Sequence, residues 1–539
     1  MRRDFKNIRS MKSIVSILAT ALMLCSCSGK DNGPVYQKPQ PNPTKVVIEQ
    51  LGQTSQVSVS WQDNASDELG YAIWLKSGVT PARILAELPA DSQYYLIESG
   101  LVAGTSYSIG VQARGTEDKL SSAIIYKEIN IFDWSRLPSA ELLEDVVVTP
   151  SSVALDYKFR KSADFEISRW GLCWSADHTP TLEDTWAHGP NATSMILRQA
   201  IPVSALEYGK TYKVRCWVEC SKGVSYSNEV EVSLGEEVPA VTFNWTRMQV
   251  EGLHEDVEVY YTTDPLHGRA FNAWYAIADV SKGNVEFRMQ FVEKAQKMSV
   301  FYQNNLDAGE TAYVLTNAGY FNMSTGTSGD YLVDRGVVTP STSEGNPKGT
   351  FGVDADQKPF ALWAGKGMDG VEYFYEHPKM NLGNSSIYGA CAENYPWPNV
   401  SVTPYYAMAA GPMLVKNGKV IPDVTKEDGV FVRNYEGVWT DIFNDDTVTP
   451  DRTCVGYTED GRIILFVCDG RIKASKGASI VEAAQIMKGL GCVGAVNFDG
   501  GGSTAMLVQG NRVNSYESNT SGATEDRAVG SVMGFFLKK

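Results

Sequence analysis

The chain has 539 residues, a formal net charge of −15 and a hydrophobic content of 43%. This length predicts two to four domains, and the hydrophobic content excludes a largely disordered protein because it suffices for packed cores. The acidic balance, without clusters of basic residues, argues against nucleic-acid binding.

The N-terminus indicates export. Basic residues precede an apolar run from Ile14 to Leu24, which is too short to span a bilayer but fits the core of a signal peptide. The run ends in Leu24-Cys25-Ser26-Cys27, the pattern of a bacterial lipoprotein signal over residues 1–27, and this predicts lipidation of Cys27. An ordinary secretory signal with incidental cysteines is the alternative. Residues 28–45, polar and proline-rich, read as a tether.

These features predict a cell-envelope protein that is periplasmic or on the outer-membrane surface and contacts the membrane through its lipid anchor only. Seven cysteines follow Cys27, an odd number without CxxC spacing, so we expect buried small hydrophobic residues rather than a disulfide framework or zinc site. The five histidines show no paired-ligand spacing, which argues against a histidine-rich metal site.

Residues 46–131 contain short alternating segments with turn signals about every ten residues, which predicts a β-sandwich. Trp61, Tyr71, Leu101 and Tyr107 fall where a fibronectin type III domain has its core aromatics and tyrosine corner. The spacing from Leu101 to Tyr107 recurs from Leu206 to Tyr212, which predicts a second sandwich over residues 132–237. We interpret both as spacer or docking modules rather than sugar-binding modules.

Residues 238–539 are expected to form an α+β domain with a mixed sheet. Phe287–Phe301 is consistent with a helix or a mixed segment. The stretch from Met323 to Pro404 is predicted to be loop-rich, as segments that line a site often are. Four aromatic residues there could stack on a sugar or belong to the core: Trp363, Trp397, Tyr405 and Tyr406.

The last hundred residues carry the densest chemical signals. A buried strand, Arg462–Cys468, stops at Asp469-Gly470-Arg471, and charged residues at a strand end lie at the rim of a sheet, where sites form. Ser479-Ile-Val-Glu482 is a capping box that begins an amphipathic helix ending near Gly491, so Glu482 is interpreted as a structural cap rather than a catalytic acid.

A second strand, Ala495–Asp499, runs into Gly500-Gly501-Gly502-Ser503-Thr504. Three consecutive glycines are costly in backbone entropy, but they make sense where backbone N–H groups must approach a ligand, notably an anion. A strand follows the turn, so it is not a Walker-type phosphate loop. A tight turn without a ligand is the alternative.

Taken together and in order, these segments resemble the phosphodiester glycosidase family over roughly residues 300–539. The matching segments are Asn317–Phe321, Gly411–Gly418, Arg452-Thr453 with Gly456, Asp469–Arg471, Asn497–Ser503 and Arg527. The first segment departs from the usual Asn-Gly-Gly-Phe-Phe, since Ala318 and Tyr320 replace Gly and Phe.

The resemblance implies hydrolysis of a glycosyl-1-phosphodiester, with N-acetylglucosamine as the model sugar. It implies Asp469 and Asp499 as base, nucleophile or electrostatic stabiliser, since the sugar carbon develops positive charge. Phosphate or substrate binding is implied for a larger set: Asn317, Arg452, Thr453, Arg471, Gly500, Gly501, Gly502, Ser503, Thr504 and Arg527. For each residue a purely structural role is the competing interpretation. No cofactor is implied, although a divalent metal is possible.

Two alternatives come from other functional classes. In a metal-dependent phosphodiesterase, Asp469 and Asp499 would hold a divalent cation and attack would occur at phosphorus. In a non-catalytic surface glycan-binding protein, the C-terminal domain would carry a degenerate site. The carbohydrate phosphodiester is the expected partner in the preferred hypothesis, and no nucleic acid is expected.

Overall fold

The computed structural model describes residues 37–190, 196–340, 342, 345, 347–379, 395–422, 436, 449–516 and 526–539. Cys27, the predicted lipidation site, and Cys391 lie outside the described residues. The chain divides into two compact units, one ending at Ser135 and one beginning at Arg136. None of the helices in the described ranges is long and apolar enough to cross a membrane.

The first unit is a β-sandwich of a three-stranded and a four-stranded sheet, ordered β1-β2-β5 and β4-β3-β6-β7. Its core includes Trp61, Tyr71 and Leu101. Tyr107 Oη accepts a hydrogen bond of 3.0 Å from the N–H of Val102, which confirms the predicted tyrosine corner. The strands are β1 Thr44–Gln50, β2 Val57–Gln62, β3 Tyr71–Ser77, β4 Arg83–Leu88, β5 Tyr94–Ile97, β6 Ser106–Ala113 and β7 Ile125–Asn130.

A second sandwich begins the second unit. One of its sheets is ordered β12-β9-β8, and the other β11-β10-β13-β14 with β15 also paired to β13. Tyr212 Oη accepts a hydrogen bond of 3.0 Å from the N–H of Glu207, so the repeated spacing in the sequence produces the same corner twice. The strands are β8 Ser139–Val148, β9 Ser152–Arg160, β10 Arg169–Ser175, β11 Thr185–His188, β12 Ile196–Pro202, β13 Thr211–Cys220, β14 Gly223–Tyr226 and β15 Val230–Ser233.

The remaining residues build three sheets, ordered β16-β17-β18-β30-β29-β31-β27-β28, β19-β34-β20-β32-β33 and β22-β21-β26-β23-β24-β25. The strands are β16 Thr246–Arg247, β17 Val257–Thr262, β18 Ala273–Ala278, β19 Val285–Gln296, β20 Ala312–Asn317, β21 Leu332–Asp334, β22 Val337–Val338, β23 Lys348–Val353, β24 Pro359–Lys366, β25 Glu372–Tyr375, β26 Tyr406–Ala409, β27 Met413–Lys416, β28 Lys419–Val420, β29 Arg452–Thr458, β30 Ile463–Cys468, β31 Cys492–Asn497, β32 Met506–Val508, β33 Asn511–Arg512 and β34 Val529–Leu537. Two α-helices of the described part are α1 Met298–Asp307 and α2 Ile480–Gly489.

The prediction of a mixed sheet in the C-terminal domain is wrong. Every ladder between described strands of this domain is antiparallel, from β16–β17 to β32–β33. Helix α2 lies between β30 and β31 in the chain, but β29 pairs antiparallel with both of these strands. The stretch from Met323 to Pro404 also differs from expectation, because it contributes β21–β25 to the six-stranded sheet.

Several local predictions are confirmed. Ser479 and Glu482 form both hydrogen bonds of the capping box at the start of α2, and Gly491 follows the helix with a φ of 85°. The segment Phe287–Phe301 is mixed, since it comprises most of β19 and the start of α1. The described cysteines are all buried and free: Cys173, Cys216, Cys220, Cys454, Cys468 and Cys492.

The second sandwich packs directly on the following domain. Trp174 meets the ring of Trp397 edge-on at 5.9 Å, and Ser204 Oγ hydrogen-bonds His377 Nδ1 at 2.9 Å. Burial lowers the pKa of His377 to about 3, so this histidine is neutral at physiological pH.

Three of the aromatic residues that could stack on a sugar are buried in one hydrophobic core: Trp363, Trp397 and Tyr406. They therefore belong to the packing and are not open to a sugar.

Candidate active site

The glycine turn connects two sheets. Strand β31 of the eight-stranded sheet ends at Asn497, and after the turn the chain enters β32 of the five-stranded sheet. Gly501 has a φ of 60°, a conformation that other residues rarely adopt. A Cβ on Gly500 would lie 2.7 Å from the main-chain oxygen of Asp451, so a side chain has no room there.

The hydrogen bonds of the turn correct one expectation. The N–H of Gly501 donates to the main-chain oxygen of Asp451 at 3.0 Å, and those of Ser503 and Thr504 donate to Gly500 and Gly501 within the turn. These N–H groups are therefore used internally, so the turn does not present them as a row of open donors to an anion. The glycines instead allow the backbone of Asp451 to approach closely.

Asp499 stands at the entry to the turn and remains partly exposed. Burial raises the pKa of its carboxyl group to about 6, although the Ser503 hydroxyl, the Arg527 charge and the Gly500 N–H each lower it. A carboxyl group with a pKa near 6 exchanges protons close to neutral pH, as a general acid or base requires.

Asn317 and Thr453 lie directly beneath the turn, and both are buried. Asn317 Nδ2 donates to the main-chain oxygen of Asp499 at 2.6 Å, while Asn317 Oδ1 accepts from Thr453 Oγ1 at 2.7 Å and from the Ala505 N–H at 3.1 Å. Thr453 Oγ1 is also 3.4 Å from Thr504 Oγ1. These polar groups bind one another, so their placement defines the turn from below.

The predicted arginines occupy three different positions. Arg452, the first residue of β29, is buried; its Nε donates to the Ala478 oxygen at 2.9 Å, and burial lowers the pKa of its guanidinium. Arg471 has a φ of 57° and brings its guanidinium against the turn, since a Cβ on Gly501 would lie 3.4 Å from Arg471 Nη1. Arg527 is exposed and acts electrostatically on Asp499.

Asp469 differs from Asp499 in being fully buried. Its Oδ1 accepts hydrogen bonds from the Ser515 N–H at 2.9 Å and from Asn514 Nδ2 at 3.5 Å. Burial raises the pKa of Asp469, while Ser515, Asn514 and the Arg512 charge lower it. The two candidate carboxylates therefore have distinct environments: one is enclosed by the chain, and the other borders the turn.

A metal site at the turn was one possibility. Within the ranges that the structure describes, the group of three acidic, histidine or cysteine side chains whose ligand atoms converge within 4.8 Å comprises Asp63, Glu68 and Asp91, in the first sandwich. Asp469 and Asp499 are not part of such a group. The metal-dependent alternative therefore has to be tested by experiment.

Comparison with known proteins addresses the family. Residues 310–536, which contain every predicted catalytic and substrate-binding residue, match the family described as phosphodiester glycosidase. This part of the chain is a phosphodiester glycosidase domain. The domain covers β20 to nearly the end of β34, so it includes the glycine turn and the residues beneath it. The two sandwiches lie outside the match.

Individual relatives of the phosphodiester glycosidase domain are distant. N-acetylglucosamine-1-phosphodiester alpha-N-acetylglucosaminidase of Mus musculus is 25% identical over 198 residues, which are 36% of this chain and 32% of that protein. The protein of the same name from Homo sapiens is 26% identical over 108 residues, 20% of each chain. This chain thus spans about a third or less of the length of these curated relatives.

A solved structure of a zebrafish N-acetylglucosamine-1-phosphodiester alpha-N-acetylglucosaminidase catalytic domain, auto-inhibited by its pro-peptide, is also similar. It is 17% identical, with a TM-score of 0.37, and the match covers 56% of this chain and 89% of that one.

Sequence reasoning missed two groups of the phosphodiester glycosidase domain. Arg512, Asn514 and Ser515 follow the turn and contact Thr504 or Asp469, but an arginine after a hairpin turn carries no distinctive signal. Glu436 is buried and accepts hydrogen bonds from three separate segments, through the N–H groups of Gly349 and Met413 and through Trp363 Nε1. Because these partners are far apart in sequence, no local pattern could have identified Glu436.

Proposed function

We propose that the protein hydrolyses the bond between C1 of a sugar and the bridging oxygen of a glycosyl-1-phosphodiester. The Asp499 carboxyl group carries the proposal, because its pKa of about 6 occurs at a turn bordered by Arg471 and Arg527. A carboxylate suits the carbon that becomes positively charged, and guanidinium groups suit the phosphate that leaves. The names of the mouse and human relatives make N-acetylglucosamine the first sugar to test.

In the proposed reaction a water oxygen bonds to C1 while the bond between C1 and the phosphate oxygen breaks. The phosphate leaves with the electron pair as a phosphomonoester, and Asp499 accepts the proton of the attacking water as a general base. With a pKa of about 6, Asp499 is mostly ionised at neutral pH but remains a useful proton acceptor. The leaving phosphate is a weak base, so strong acid assistance is unnecessary.

Arg471 and Arg527 are the proposed phosphate-binding residues. The Arg471 guanidinium lies against Gly501, and Arg527 is exposed while acting on Asp499, so both charges border the same turn. Guanidinium groups donate paired hydrogen bonds to phosphate oxygens. Arg452 is buried and bonded to the Ala478 oxygen, and we propose that it adds positive potential from behind the site rather than contact with substrate.

Asp469 is proposed to position the site instead of reacting. Its side chain has no exposed surface, and its Oδ1 holds Ser515 and Asn514. The same holds for Asn317 and Thr453, whose polar atoms are bonded to each other and to the backbone around the turn. Asp499, Arg471 and Arg527 thus remain as the proposed substrate-contacting set.

The decisive experiment uses purified protein beginning at residue 28 and methyl N-acetylglucosamine-1-phosphodiester in water enriched in oxygen-18. We expect free sugar and phosphomonoester, with the heavy oxygen on the sugar, and no effect of a chelator. Label on the phosphate together with loss of activity in chelator would favour attack at phosphorus by a metal-dependent phosphodiesterase. Binding of the sugar phosphate without any turnover, across several glycosyl phosphates, would favour a glycan-binding protein.

We further propose that the protein is exported and anchored through a lipid on Cys27, at the periplasmic face or on the outer-membrane surface. The support is the apolar run from Ile14 to Leu24 followed by Leu24-Cys25-Ser26-Cys27. Labelling of the cell-expressed protein with a fatty acid should be lost in Cys27→Ser and retained in Cys25→Ser. Equal labelling of both variants would contradict Cys27 as the anchor.

A further inference from the structure

Arg512 donates hydrogen bonds through all three nitrogens of its guanidinium, although the proposed reaction does not involve this residue. Its Nη1 donates to Asp526 Oδ1 at 2.5 Å, and its Nη2 donates to the main-chain oxygens of Thr504 at 2.8 Å and Ser515 at 2.7 Å. Its Nε donates to the oxygen of Asn514 at 3.1 Å. The side chain of Arg512 is only 9% exposed and that of Asp526 11%.

Each of these contacts adjoins a residue of the proposed site. Thr504 ends the glycine turn, and Asp526 immediately precedes Arg527. Ser515 and Asn514 are the residues that bind the Asp469 carboxylate, and Asn514 Nδ2 also donates to the Thr504 oxygen at 3.1 Å. One guanidinium therefore joins the three chain segments that carry the turn, the Asp469 contacts and Arg527.

We propose that Arg512 is a positioning residue of the active site, which holds the glycine turn, the Asn514–Ser515 segment and Arg527 in one fixed arrangement. The inference rests on the proposed function in that the arrangement serves phosphodiester hydrolysis. A planar guanidinium directs its donors in fixed directions, so one arginine can bind three carbonyl oxygens and a carboxylate at once. A lysine in its place retains the charge but not these directions.

If Arg512 positions the site, its replacement should change the pKa of Asp499, which the loss of a merely structural arginine would not do. Arg527 lowers the pKa of Asp499, and Arg527 is held next to Asp526, the carboxylate partner of Arg512. Loosening this link lets Arg527 move from Asp499, which raises the pKa of Asp499. The other groups that act on Asp499 are the Ser503 hydroxyl, the Gly500 N–H and the partly buried Tyr320, and none of them bonds to Arg512 in the described structure.

Arg288 offers a matched control in the same compact unit. It is an arginine of similar burial that pairs with Glu286 and Glu310 and lies 5.0 Å over the Phe536 ring, much as Arg512 pairs with Asp526 and lies 4.3 Å over the Tyr516 ring. Among the described residues, the partners of Arg288 lie outside the turn. Arg288→Lys therefore reports the effect of losing a buried guanidinium without disturbing the site.

The test compares the wild type, Arg512→Lys, Asp526→Asn and Arg288→Lys. Carbon-13 NMR of labelled aspartate, with Asp499 assigned from Asp499→Asn, gives the titration of Asp499 without any substrate. We expect the Asp499 midpoint to rise in Arg512→Lys and Asp526→Asn but not in Arg288→Lys. We also expect kcat on the phosphodiester to fall about 10- to 100-fold in the first two variants, with a smaller change in KM, because positioning errors of about 1 Å reduce rates on this scale.

An unchanged Asp499 midpoint in both Arg512→Lys and Asp526→Asn would overturn the proposal, whatever their melting temperatures. Asp526→Asn leaves the three carbonyl contacts of Arg512 in place, so it gives a folded comparison if Arg512→Lys fails to fold. The outcomes also separate the two proposals. A wild type that turns over no glycosyl phosphodiester would overturn the proposed function, whereas the titration still decides whether Arg512 positions Arg527.

Discussion

Asn317 Nδ2 donates a hydrogen bond of 2.6 Å to the main-chain oxygen of Asp499, 182 residues further along the chain. The same amide accepts from Thr453 Oγ1 and from the Ala505 N–H, so it is linked to both ends of the glycine turn and to β29. The placement of the Asp499 carboxyl group therefore depends on one buried side chain at the end of β20.

Replacing Asn317 by aspartate should disturb both stability and activity. The substitution preserves size but places a carboxylate oxygen against the Asp499 carbonyl. We expect the free energy of unfolding to fall by about 2–3 kcal/mol and kcat/KM to fall at least about tenfold. Urea unfolding and initial rates provide the measurements. Asn305→Asp is the control, since Asn305 of α1 is a buried amide that donates to Gln290 Oε1 of β19 and to the Phe301 main-chain oxygen, and only the stability of this variant should decrease.

Asp499→Asn should abolish most of the activity, since the amide cannot accept the proton of water. We expect kcat to fall about 10²- to 10⁴-fold, the range typical of general bases. In the wild type kcat/KM should fall about tenfold per pH unit below pH 6, where Asp499 becomes protonated. Asp334→Asn, which removes a carboxylate paired with Arg335 away from the turn, should leave both quantities unchanged. A profile that stays flat down to pH 4 would contradict the assignment of Asp499 as base.

Asp499→Asn should also stabilise the protein at neutral pH. The pKa of Asp499 is raised in the folded state, so folding is favoured below the unfolded pKa of about 3.9 and this contribution is lost as the pH rises through about 6. At about 1.4 kcal/mol per pH unit, the cost above pH 6 is at most about 3 kcal/mol. Asp499→Asn should therefore unfold at a higher temperature than the wild type at pH 7.5, with little difference at pH 4. Equal curves at both pH values would show that Asp499 is not desolvated.

Glu436→Gln should destabilise the fold more than a conservative exchange normally does. All three partners of Glu436 are donors, so the amide nitrogen of glutamine has to face an N–H group. Gly411 packs so closely against Glu436 that even a Cβ on this glycine would meet Glu436 Oε2, so the side chain at position 436 has no room to move towards it. We expect a loss of about 2–4 kcal/mol in urea unfolding. Glu372→Gln is the control: Glu372 accepts from Tyr331 Oη, a contact that an amide oxygen can keep, so stability should hardly change.

Two N-terminal truncations, one before residue 136 and one before residue 238, should differ in their effect on stability. A chain that begins at residue 136 retains the contacts of Trp174 and Ser204 with Trp397 and His377, so the second sandwich should continue to stabilise the following domain. A chain that begins at residue 238 loses those contacts and exposes apolar surface, so we expect a lower unfolding temperature and aggregation. Equal unfolding temperatures of the two shortened chains would show that the second sandwich is dispensable.

Several features of the fold followed from local patterns alone. The placement of Tyr107 predicted the first tyrosine corner, the repeated spacing from Leu to Tyr predicted the second sandwich, and the capping box at Ser479 predicted the start of α2. Such features depend on residues within one turn or strand, so they are visible in sequence. The strand directions were not, because the choice between parallel and antiparallel pairing depends on which distant strand becomes the neighbour, as β29 pairs with both β30 and β31.

For the site, the sequence by itself determined which segments to propose: the glycine turn and the Asp469–Arg471 strand end, because each follows a buried strand, and Asn317, because it belongs to the segments that resemble the family. Only the tertiary structure separated Asp469 from Asp499, because burial and hydrogen bonds from Ser515 and Asn514 distinguish two aspartates that look alike in sequence. It also assembled Arg512 with Thr504 and Asp526. The pKa of a carboxyl group and the convergence of separate segments depend on three-dimensional surroundings, which no local pattern of residues contains.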